Sequence, residues 1–385
     1  MLKERSVAFP LLPSSSVPNH PDNTAGLPPF LDFFAGSGLV TEGLGPYFHN
    51  VWANDIDEKK AAVFCANHPL EIFHLGPIEN VAGARVPPAI LSWASFPCQD
   101  LSLAGNMEGI ESARSGLVWH WLRVMDEMVS RPPIIVAENV LGLVSADGGK
   151  HYRRLHNALV DRNYRVGAIE LDAVHWVPQS RSRIFVIGVD KRIPASVLEL
   201  SGPSWCHPNA VQKAVGGLRD WVWWGVPRPA ARQDSLEQLV DFEASCDDPI
   251  WSKHNLDLLS TTHRERLKLA AAEGQRVFPG YKRTRKGRQA LELRFDGVAG
   301  CLRTPQGGSS RQLLVLMKGG RYQTRLLTVR ETARLMGARE DYRIPGSYND
   351  GYHAMGDAVA VPVARYLGQH LLAPIAQQAA VLEVL

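Results

Sequence analysis

The stretch PFLDFFAGSG, Pro29 to Gly38, decides the fold, because it reads as an apolar β-strand that runs directly into a glycine turn. Glycines there let the backbone approach a ligand closely, and amides at the start of the following helix can point at that ligand. The next apolar run, NVWAND, ends at Asn54-Asp55, 19 residues after Gly36. An acid in that place can accept hydrogen bonds from both ribose hydroxyls of a nucleoside.

The spacing of the glycines narrows the class of ligand. Gly36, Gly38 and Gly43 do not form the GxGxxG pattern that cradles a dinucleotide pyrophosphate, so a dehydrogenase is disfavoured. A short glycine turn by itself is equally consistent with a purely structural turn. Together with Asp55, however, it predicts a nucleoside ligand such as S-adenosylmethionine.

Apolar runs alternate with helical patterns as far as residue 190. The later runs are AILSWASF (89–96), IIVAENV (134–140), AIELDA (168–173) and RIFVIGV (183–189). The clearest helix has Ser115 as its predicted N-cap and an apolar face made by Leu117, Val118, Trp121, Leu122, Met125 and Val129. Buried strands that alternate with helices predict an α/β fold with a mostly parallel sheet covered on both faces.

Composition excludes several classes of protein. The 385 residues are 45% hydrophobic and 21% charged, as in ordinary globular proteins, and no apolar run reaches the roughly 18 residues that span a bilayer. Pro10, Pro13 and Pro18 interrupt the apolar N-terminal stretch, so no signal peptide is expected. The five scattered cysteines include no CxxC pair, which disfavours a zinc ribbon and fits a reducing cytoplasm. The net charge of +3 is too small to indicate a partner.

Changes in composition and in apolar pattern divide the chain into four parts. Residues 1–27, rich in Pro, Ser and Asn, are predicted to form a flexible arm, and residues 28–190 carry the α/β pattern. Residues 191–324 contain glycine and proline breaks and are predicted to form a smaller, irregular domain. Residues 325–385 return to helical patterns and are expected to pack back on the first domain.

A second group of reactive residues is predicted at the carboxyl edge of the same sheet, where ligands of α/β sheets bind. One strand ends at Phe96-Pro97-Cys98-Gln99. A lone cysteine is most often a small buried hydrophobe, but a thiol exposed at this edge could ionise and act as a nucleophile. The strand IIVAENV delivers Glu138, which is either a helix cap or a functional acid. Gln179, Arg181 and Arg183 either share one face of this site or form a solvated basic edge.

In this order, the motifs resemble those of the DNA cytosine-5 methyltransferase family. The resemblance rests on LDFFAGSG (31–38), NDID (54–57), SFPCQDLS (95–102), ENV (138–140), QSRSR (179–183), RLLTVRETARLMG (325–337) and MGDAVAVPV (355–363). It covers nearly all of residues 29–375 except 191–300, where the family is also variable. It implies a Rossmann-like, S-adenosylmethionine-dependent methyltransferase domain that faces a smaller target recognition domain across a DNA-sized cleft.

The resemblance also implies catalytic roles. Cys98 would add through its thiolate to C6 of cytosine, and Glu138 would contact the ring N3 and the exocyclic amine. Arg183 would hold the O2 carbonyl, and Arg181 would help to order the catalytic loop and the cysteine. Because C5 and C6 are shielded in a stacked duplex, the target base would have to flip out of the double helix.

For the cofactor, the resemblance implies contacts from Phe34, Gly36, Gly38, Asp55, Ile56, Ile78, Pro97, Leu117, Asp357 and Ala358. Asp55 would bind the ribose, and Ile56 would lie on the face of the adenine. Two places depart from the family pattern. Gly76-Pro77-Ile78 stands where Gly-Asp-Ile is usual, which removes an acceptor for the adenine amine. Gly356-Asp357-Ala358-Val359 stands where Gly-Asn-Ser-Val is common, which removes donors near the methionine carboxylate.

The residues expected to contact DNA lie in a basic run and in two loops. In the basic run, Lys282, Arg283 and Arg285 could neutralise phosphates, or one arginine could read a guanine edge; the alternative is a solvated charged loop. The residues assigned from the loops are Gln99, Ser102, Thr304, Gly307, Gly308 and Arg311. Trp221, Trp223 and Trp224 are predicted to belong to the core rather than to stack on bases. No metal is predicted, because Cys206-His207 lacks further ligands at suitable spacing.

Double-stranded DNA is therefore the expected partner, in the cytoplasm and associated with the nucleoid. A cognate restriction endonuclease acting on the same site is a further partner if the enzyme is not solitary. A tRNA cytosine-5 methyltransferase would use the same motifs but would lack a large recognition domain such as residues 191–300. A non-catalytic DNA-binding relative is disfavoured by the intact Cys98, Glu138 and Arg183.

Overall fold

The structure is built around an open, mostly parallel β-sheet. The computed structural model describes residues 26–97, 116–194, 196–285, 287–303 and 311–381. The large sheet contains β1 (Pro29–Phe33), β2 (His49–Asp55), β3 (Phe73–Leu75), β4 (Leu91–Ala94), β5 (Ile134–Asn139), β6 (Tyr164–Asp172) and β7 (Ser182–Asp190). Its strand order is β3-β2-β1-β4-β5-β7-β6, and only β7 runs antiparallel to its neighbours. The predicted α/β class with a mostly parallel sheet is confirmed.

Helices connect these strands and continue beyond them. The helices as far as residue 160 are α1 (Leu39–Leu44), α2 (Glu58–Asn67), α3 (Leu117–Glu127), α4 (Gly142–Ser145) and α5 (Lys150–Val160). The later helices are α6 (Asn209–Ala214), α7 (Leu236–Leu239), α8 (Pro249–Asp257), α9 (Thr261–Ala272), α10 (Val329–Leu335), α11 (Tyr348–Asp357), α12 (Val361–Leu367) and α13 (Ala373–Val381).

Strand β5 shows why both faces of the large sheet are covered. Ile134 and Val136 pack in one hydrophobic cluster, whereas Ile135 and Ala137 pack in another. Because successive strand residues point to opposite faces, the continuous apolar run buries both sides of the strand. Buried residues of α1 and α12 belong to the first cluster, and buried residues of α3 and α5 belong to the second. The C-terminal helix α12 therefore packs directly on the sheet domain.

Helix α3 carries most of its predicted apolar face into the core. Trp121 and Met125 are fully buried, and the Trp121 indole donates a hydrogen bond to the Ser92 hydroxyl at 2.9 Å. The prediction that Val129 continues this face is wrong, because α3 ends at Glu127 and Val129 is 97% exposed. The physical cause lies just downstream, where the Pro132-Pro133 pair disfavours helical backbone.

The segment that follows β7 packs on the large sheet. Its short strands β8 (Glu199–Leu200) and β9 (Trp223–Trp224) pair with each other, and the Trp224 indole donates to the Ile187 carbonyl at 3.1 Å. Gly167 allows this approach, since a Cβ at that position would lie 2.1 Å from the Val222 carbonyl oxygen. Trp224 is fully buried, which confirms its predicted place in the core.

Residues 277–326 form a second, antiparallel sheet where the sequence analysis expected irregular structure. Its strands, in the order β11-β10-β12-β13, are β10 (Val277–Arg285), β11 (Arg288–Leu293), β12 (Gln312–Lys318) and β13 (Arg321–Leu326). Along β12, Leu313 and Val315 pack with α8 and α9 residues, whereas Leu314 and Leu316 join the main core. The pattern of alternating strands and helices does not predict this sheet, because β10 and β11, and likewise β12 and β13, are antiparallel pairs with no helix between their strands.

Candidate functional site

The glycine turn after β1 is conformationally demanding. Phe34, Gly36 and Gly38 have φ angles of +57°, +54° and +82°. A Cβ on Gly38 would lie 2.6 Å from the His68 ring, so glycine is required there for both backbone and space. The Gly36 amide donates to Oδ2 of Asp55 at 2.8 Å. The turn and the acid at the end of β2 therefore form one corner of the sheet edge.

The carboxylate of Asp55 is held in place by two backbone amides. Besides Gly36, the Asp57 amide donates to its Oδ1 at 2.9 Å. Burial raises the pKa of Asp55, while Lys60 and these amides act against the rise. The next side chain, Ile56, is 68% exposed. A held carboxylate beside an exposed apolar surface fits the ribose and the base of a nucleoside.

The chain beyond β3 is also fixed at this edge. The Asn54 side-chain amide donates to the carbonyls of His74 at 2.7 Å and Gly76 at 2.9 Å. Ile78 is buried at 3% exposure. Pro77 precedes it, so the structure offers no acidic side chain at that position for an adenine amine.

The remaining residues assigned to the cofactor come from three separate elements. Pro97 follows β4 and Leu117 begins α3, and both are half-buried. Asp357 is the last residue of α11, and its carboxylate pairs with the Lys60 ammonium at 2.7 Å. The Ala358 carbonyl accepts a hydrogen bond from Nη2 of Arg181 at 2.6 Å. Lys60 escaped the sequence analysis because its partner lies almost 300 residues downstream.

A buried ion pair lies at the centre of the carboxyl edge. Glu138, on β5, is 6% exposed, and its Oε1 lies 3.0 Å from Nε of Arg183 on β7. Burial raises the pKa of Glu138, against the effect of Arg183, Arg181 and a hydrogen bond with Ser95. The helix-cap interpretation of Glu138 is wrong, since the residue lies within β5 and the N-cap of α4, Leu141, has no side-chain cap.

Arg181 lies behind this pair as a buried hub. Its Nη1 donates to the Leu302 carbonyl at 2.9 Å and to the Cys301 sulfur at 3.3 Å, and its Nη2 donates to the carbonyls of Gly356 at 2.9 Å and Ala358. The side chain is only 2% exposed. The alternative of a solvated basic edge is therefore wrong for Arg181. It joins β7 to the loop after β11 and to the end of α11.

Gln179 has the same kind of role and is fully buried. Its side-chain amide donates to the Leu335 carbonyl at 2.8 Å, and its oxygen accepts from the Leu302 amide at 3.0 Å. Gln179 and Arg181 therefore converge on one loop, and Arg183 meets Glu138 beside them. The solvated-edge interpretation is wrong for Gln179 as well.

Cys301 is a second thiol near this centre, and sequence reasoning missed it. Burial acts to raise the pKa of the Cys301 thiol, but Arg181, Arg183 and Arg303 together bring that pKa below its ordinary value. A cysteine within AGCLRT carries no sequence signal of its own, because its arginine partners come from QSRSR, some 120 residues earlier. The structure therefore adds Cys301 to the site.

Several predicted residues lie outside the described part of the chain. They are Cys98, Gln99, Ser102, Thr304, Gly307 and Gly308. The described chain nevertheless leads to the pair, since β4 lies parallel to β5 and Asn139 donates to the Phe96 carbonyl at 3.1 Å. Pro97, the last described residue before this gap, follows directly.

The basic run forms a hairpin whose cations point in different directions. In the β10–β11 register Arg283 faces Ala290, and Glu292 lies 3.2 Å from Nε of Arg283 and 2.7 Å from Nε of Arg285. Lys282 instead pairs with Leu291 and so belongs to the opposite face of the hairpin. The run is therefore not a uniform basic strip. Arg283 and Arg285 both form an ion pair with the single carboxylate of Glu292.

A cavity lies between this hairpin and loops at the carboxyl edge of the large sheet. Its volume is about 620 Å³, and its lining includes Tyr281, Arg283 and Glu292 from the small sheet and Ser180, Cys301 and Arg303 from the other side. Arg311 is engaged elsewhere, because its Nη2 donates to Oδ1 of Asn349 at 2.5 Å and its guanidinium lies over the Tyr348 ring. The cavity thus lies between a basic hairpin and the Cys301 segment to which Arg181 is bonded.

Within residues 26–97, 116–194, 196–285, 287–303 and 311–381, no group of three His, Cys, Asp or Glu side chains is placed to hold a metal ion. None of the helices in those ranges is long and apolar enough to cross a membrane.

Known proteins resemble the chain over most of its length. The sequence pattern of one family, described as C-5 cytosine-specific DNA methylase, matches residues 29–373. Type II methyltransferase M1.ScrFI of Lactococcus lactis subsp. cremoris is 25% identical over 89% of this chain and 77% of its own length. Type II methyltransferase M.SsoII of Shigella sonnei is 26% identical over 93% and 83% of the two chains.

Solved structures share the fold. The S. pombe Dnmt2 methyltransferase superposes with a TM-score of 0.58 and 17% identity, covering 92% of this chain and 99% of its own. The Entamoeba histolytica methyltransferase EhMeth gives a TM-score of 0.62 at 12% identity, covering 89% and 96%. These likenesses establish the architecture, and the family pattern spans both the glycine turn and the Glu138–Arg183 pair. The chain belongs to the C-5 cytosine-specific DNA methylases.

Proposed function

We propose that this DNA cytosine-5 methyltransferase is sequence-specific and methylates C5 of a flipped-out cytosine through a covalent bond between Cys98 and C6. The observation that carries the proposal is the buried pair of Glu138 and Arg183 at the carboxyl edge, 3.0 Å apart, beside the strand that leads to Cys98. An acid and a guanidinium in contact can bind N3 and O2 of one pyrimidine, because O2 is carried by C2, the ring atom next to N3.

Glu138 acts as the proton donor in this proposal. Because burial raises the pKa of its carboxyl group, the protonated form is favoured more than in water. A proton supplied to N3 withdraws electrons from the ring and makes C6 open to attack. Arg183 stabilises the charge that develops at O2. The ion pair must therefore open to admit the base between its partners.

The bond between Cys98 and C6 forms at the start of the reaction and breaks at its end. The Cys98 thiolate forms a bond to C6, and the ring electrons move to C5, which becomes nucleophilic. Bound S-adenosylmethionine would supply the methyl group that C5 takes up and would leave as S-adenosylhomocysteine. The proton on C5 then leaves to a base, the proton on N3 returns to Glu138, the bond between sulfur and C6 breaks, and the thiolate is regenerated. Arg181 supports these steps by fixing the Cys301–Leu302 segment next to Arg183.

The cofactor site that we propose lies over the glycine turn and β2. Asp55 accepts hydrogen bonds from the ribose hydroxyls, and Ile56 covers one face of the adenine. Phe34, Gly36 and Gly38 shape the wall of the site through their positive φ angles. Ile78, Pro97 and Leu117 complete the apolar lining. Pro77 leaves the adenine amine to solvent or to the backbone.

We propose double-stranded DNA as the substrate and the cavity beside the hairpin as part of its cleft. The sequence predicted a target recognition domain at residues 191–324, and we now propose residues 247–326 for it. The packing supports this change, because residues 206–226 contact the large sheet, whereas α8 and α9 pack on the small one. Arg283 and Arg285 then approach phosphates or a base edge. Type II methyltransferases among the relatives support a role beside a restriction endonuclease of the same specificity.

The experiment that tests the proposal is base-resolution methylation sequencing of a methylation-deficient bacterial host that expresses the chain. Methylation of one short sequence context by the wild type, and none by Cys98→Ala, is the expected result. Methylation by Cys98→Ala would remove that residue from the nucleophile role. Methylation of tRNA but not of DNA by the purified protein would overturn the assignment of duplex DNA.

A further inference from the structure

Two ion pairs connect α2 to α11, and they differ in their surroundings. Lys59 pairs with Asp350 at 2.6 Å, and its side chain is 71% exposed. Lys60 pairs with Asp357 at 2.7 Å, but its side chain is only 19% exposed while that of Asp357 is 40% exposed. The outer pair alone already ties the two helices together. The inner pair leaves part of an acid open to solvent beside an enclosed ammonium group.

The inner pair lies against the glycine turn. A Cβ built on Gly36 would lie 3.9 Å from Cδ of Lys60 and 4.0 Å from Oδ2 of Asp55. The stem of Lys60 therefore passes the turn between the acid of β2 and the acid of α11. Burial acts to lower the pKa of Lys60, but Asp357 and Asp55 together raise it above the ordinary value, so the group carries its charge.

The Lys60–Asp357 pair lies at one end of the proposed nucleoside site. Asp55 ends β2, which lies between β1 and β3, and its carboxylate is held on the β1 side by the Gly36 amide, while the exposed Ile56 follows it in the chain. With ribose on Asp55 and adenine on Ile56, the other end of the cofactor points toward β1 and its glycine turn. That end of S-adenosylmethionine is an amino acid, which carries an ammonium and a carboxylate group. The pair formed by Lys60 and Asp357 offers one charge of each sign there.

We propose that the Lys60–Asp357 pair binds the amino-acid end of the cofactor, with Lys60 on its carboxylate and Asp357 on its ammonium group. This inference rests on the proposed function. It explains how an acid at residue 357 is tolerated beside a ligand carboxylate, because Lys60 neutralises that acid and provides the missing donor. A purely structural tie between α2 and α11 is the alternative, and it predicts no preference among ligands.

The test compares two ligands that differ only at that end. S-adenosylhomocysteine contains the amino-acid part, whereas 5′-methylthioadenosine keeps the nucleoside and lacks it. Isothermal titration calorimetry of the full chain without DNA measures both. Lys60→Met is expected to weaken S-adenosylhomocysteine binding by about 10- to 100-fold, as for loss of a charged hydrogen bond, and to change 5′-methylthioadenosine binding less than about twofold.

Lys59→Met is the matched control, since it removes the same charge from the neighbouring pair between the same helices. It is expected to leave both affinities unchanged. Asp357→Ala, which keeps Lys60 and introduces no new donor, is expected to weaken S-adenosylhomocysteine alone, by about three- to tenfold. It therefore tests the inference even if Lys60→Met fails to fold.

Two results would overturn the inference. Equal weakening of both ligands by Lys60→Met and by Asp357→Ala would show that the pair only shapes the site. Unchanged affinities in the variants would show that it does not touch the ligand. Failure of the wild type to bind either nucleoside would instead overturn the proposed cofactor site itself.

Discussion

Nε of Arg183 lies 3.0 Å from Oε1 of Glu138, across the antiparallel boundary between β7 and β5. Both side chains are largely buried, at 16% and 7% exposure. Two opposite charges in such a place stabilise each other, and each becomes costly when its partner is removed. The free protein therefore already holds together the two groups that the proposed reaction applies to one base.

Glu138→Gln is expected to lower the single-turnover rate of DNA methylation by about 10²- to 10⁴-fold, because an amide cannot supply the proton. In the proposed mechanism the protonated form of Glu138 is the active one. The wild-type rate should therefore fall as pH rises through the pKa of Glu138, which burial raises. The Gln variant should lack that dependence. Rapid-quench assays with labelled methyl donor across the pH range measure both effects.

Glu127→Gln is the control for this prediction, since Glu127 pairs with Arg123 on the exposed surface of α3 at 2.6 Å. It is expected to leave rate and pH profile unchanged. A Glu138→Gln enzyme with wild-type turnover, or with the wild-type pH profile, would contradict the proton-donor role.

Arg181→Met is expected to lower the free energy of unfolding by about 3–5 kcal/mol, because it leaves buried carbonyl groups without donors. The orphaned carbonyls would be those of Leu302, Gly356 and Ala358. Urea denaturation followed by circular dichroism measures the change. Arg219→Met is the matched control, since Arg219 is 69% exposed in a surface pair, and it should change stability by less than about 0.5 kcal/mol. Equal stability of the two variants would exclude a hub role for Arg181.

The contrast between Glu138 and Arg181 shows how far sequence reasoning reaches. Glu138 follows four apolar residues of a buried strand, so its place at the carboxyl edge could be predicted from local pattern and the rule for parallel sheets. The contacts of Arg181 could not, because its partners lie 121 to 177 residues away. Only tertiary packing brings those loops together. The same holds for Cys301 and for the Lys60–Asp357 pair.

Two further differences between the sequence prediction and the structure concern features that the sequence does show. Gly319-Gly320 between β12 and β13 has φ angles of +57° and +74°, as a two-residue hairpin turn requires. The apolar run LLVLM before it, followed by Lys318 and the Gly-Gly pair, would have predicted a buried strand that enters a hairpin. Val129 was placed on the helix face by periodicity alone, although Pro132-Pro133 follows closely.

Asp32→Asn is expected to stabilise the protein increasingly as pH rises. Asp32 is fully buried on β1, accepts a hydrogen bond from Thr41 at 2.9 Å, and has a pKa raised by burial to about 7. Its folded pKa exceeds its unfolded value, so ionisation destabilises the wild type between about pH 4 and 7. The stability difference, variant minus wild type, should rise by about 3–4 kcal/mol between about pH 4 and 8.

Denaturation curves at several pH values measure this difference. Asp161→Asn, at a residue whose side chain is 65% exposed in a surface pair, should give a nearly constant difference across the same range. A flat profile for Asp32→Asn as well would mean that Asp32 ionises in the folded protein as it does in water.

Glu292→Gln is expected to tighten non-specific binding to duplex DNA and to steepen its salt dependence. The Glu292 carboxylate is shared by Arg283 and Arg285, so in the free protein it competes with phosphates for both guanidinium groups. Neutralising Glu292 should make the negative slope of log affinity against log salt steeper by up to about 0.9. The double variant Arg283→Met with Arg285→Met should make that slope shallower by up to about 1.8. Glu340→Gln, which frees Arg334 elsewhere, is the matched control and should leave the slope unchanged. Equal slopes for Glu292→Gln and Glu340→Gln, in fluorescence anisotropy titrations at several salt concentrations, would place the hairpin outside the DNA cleft.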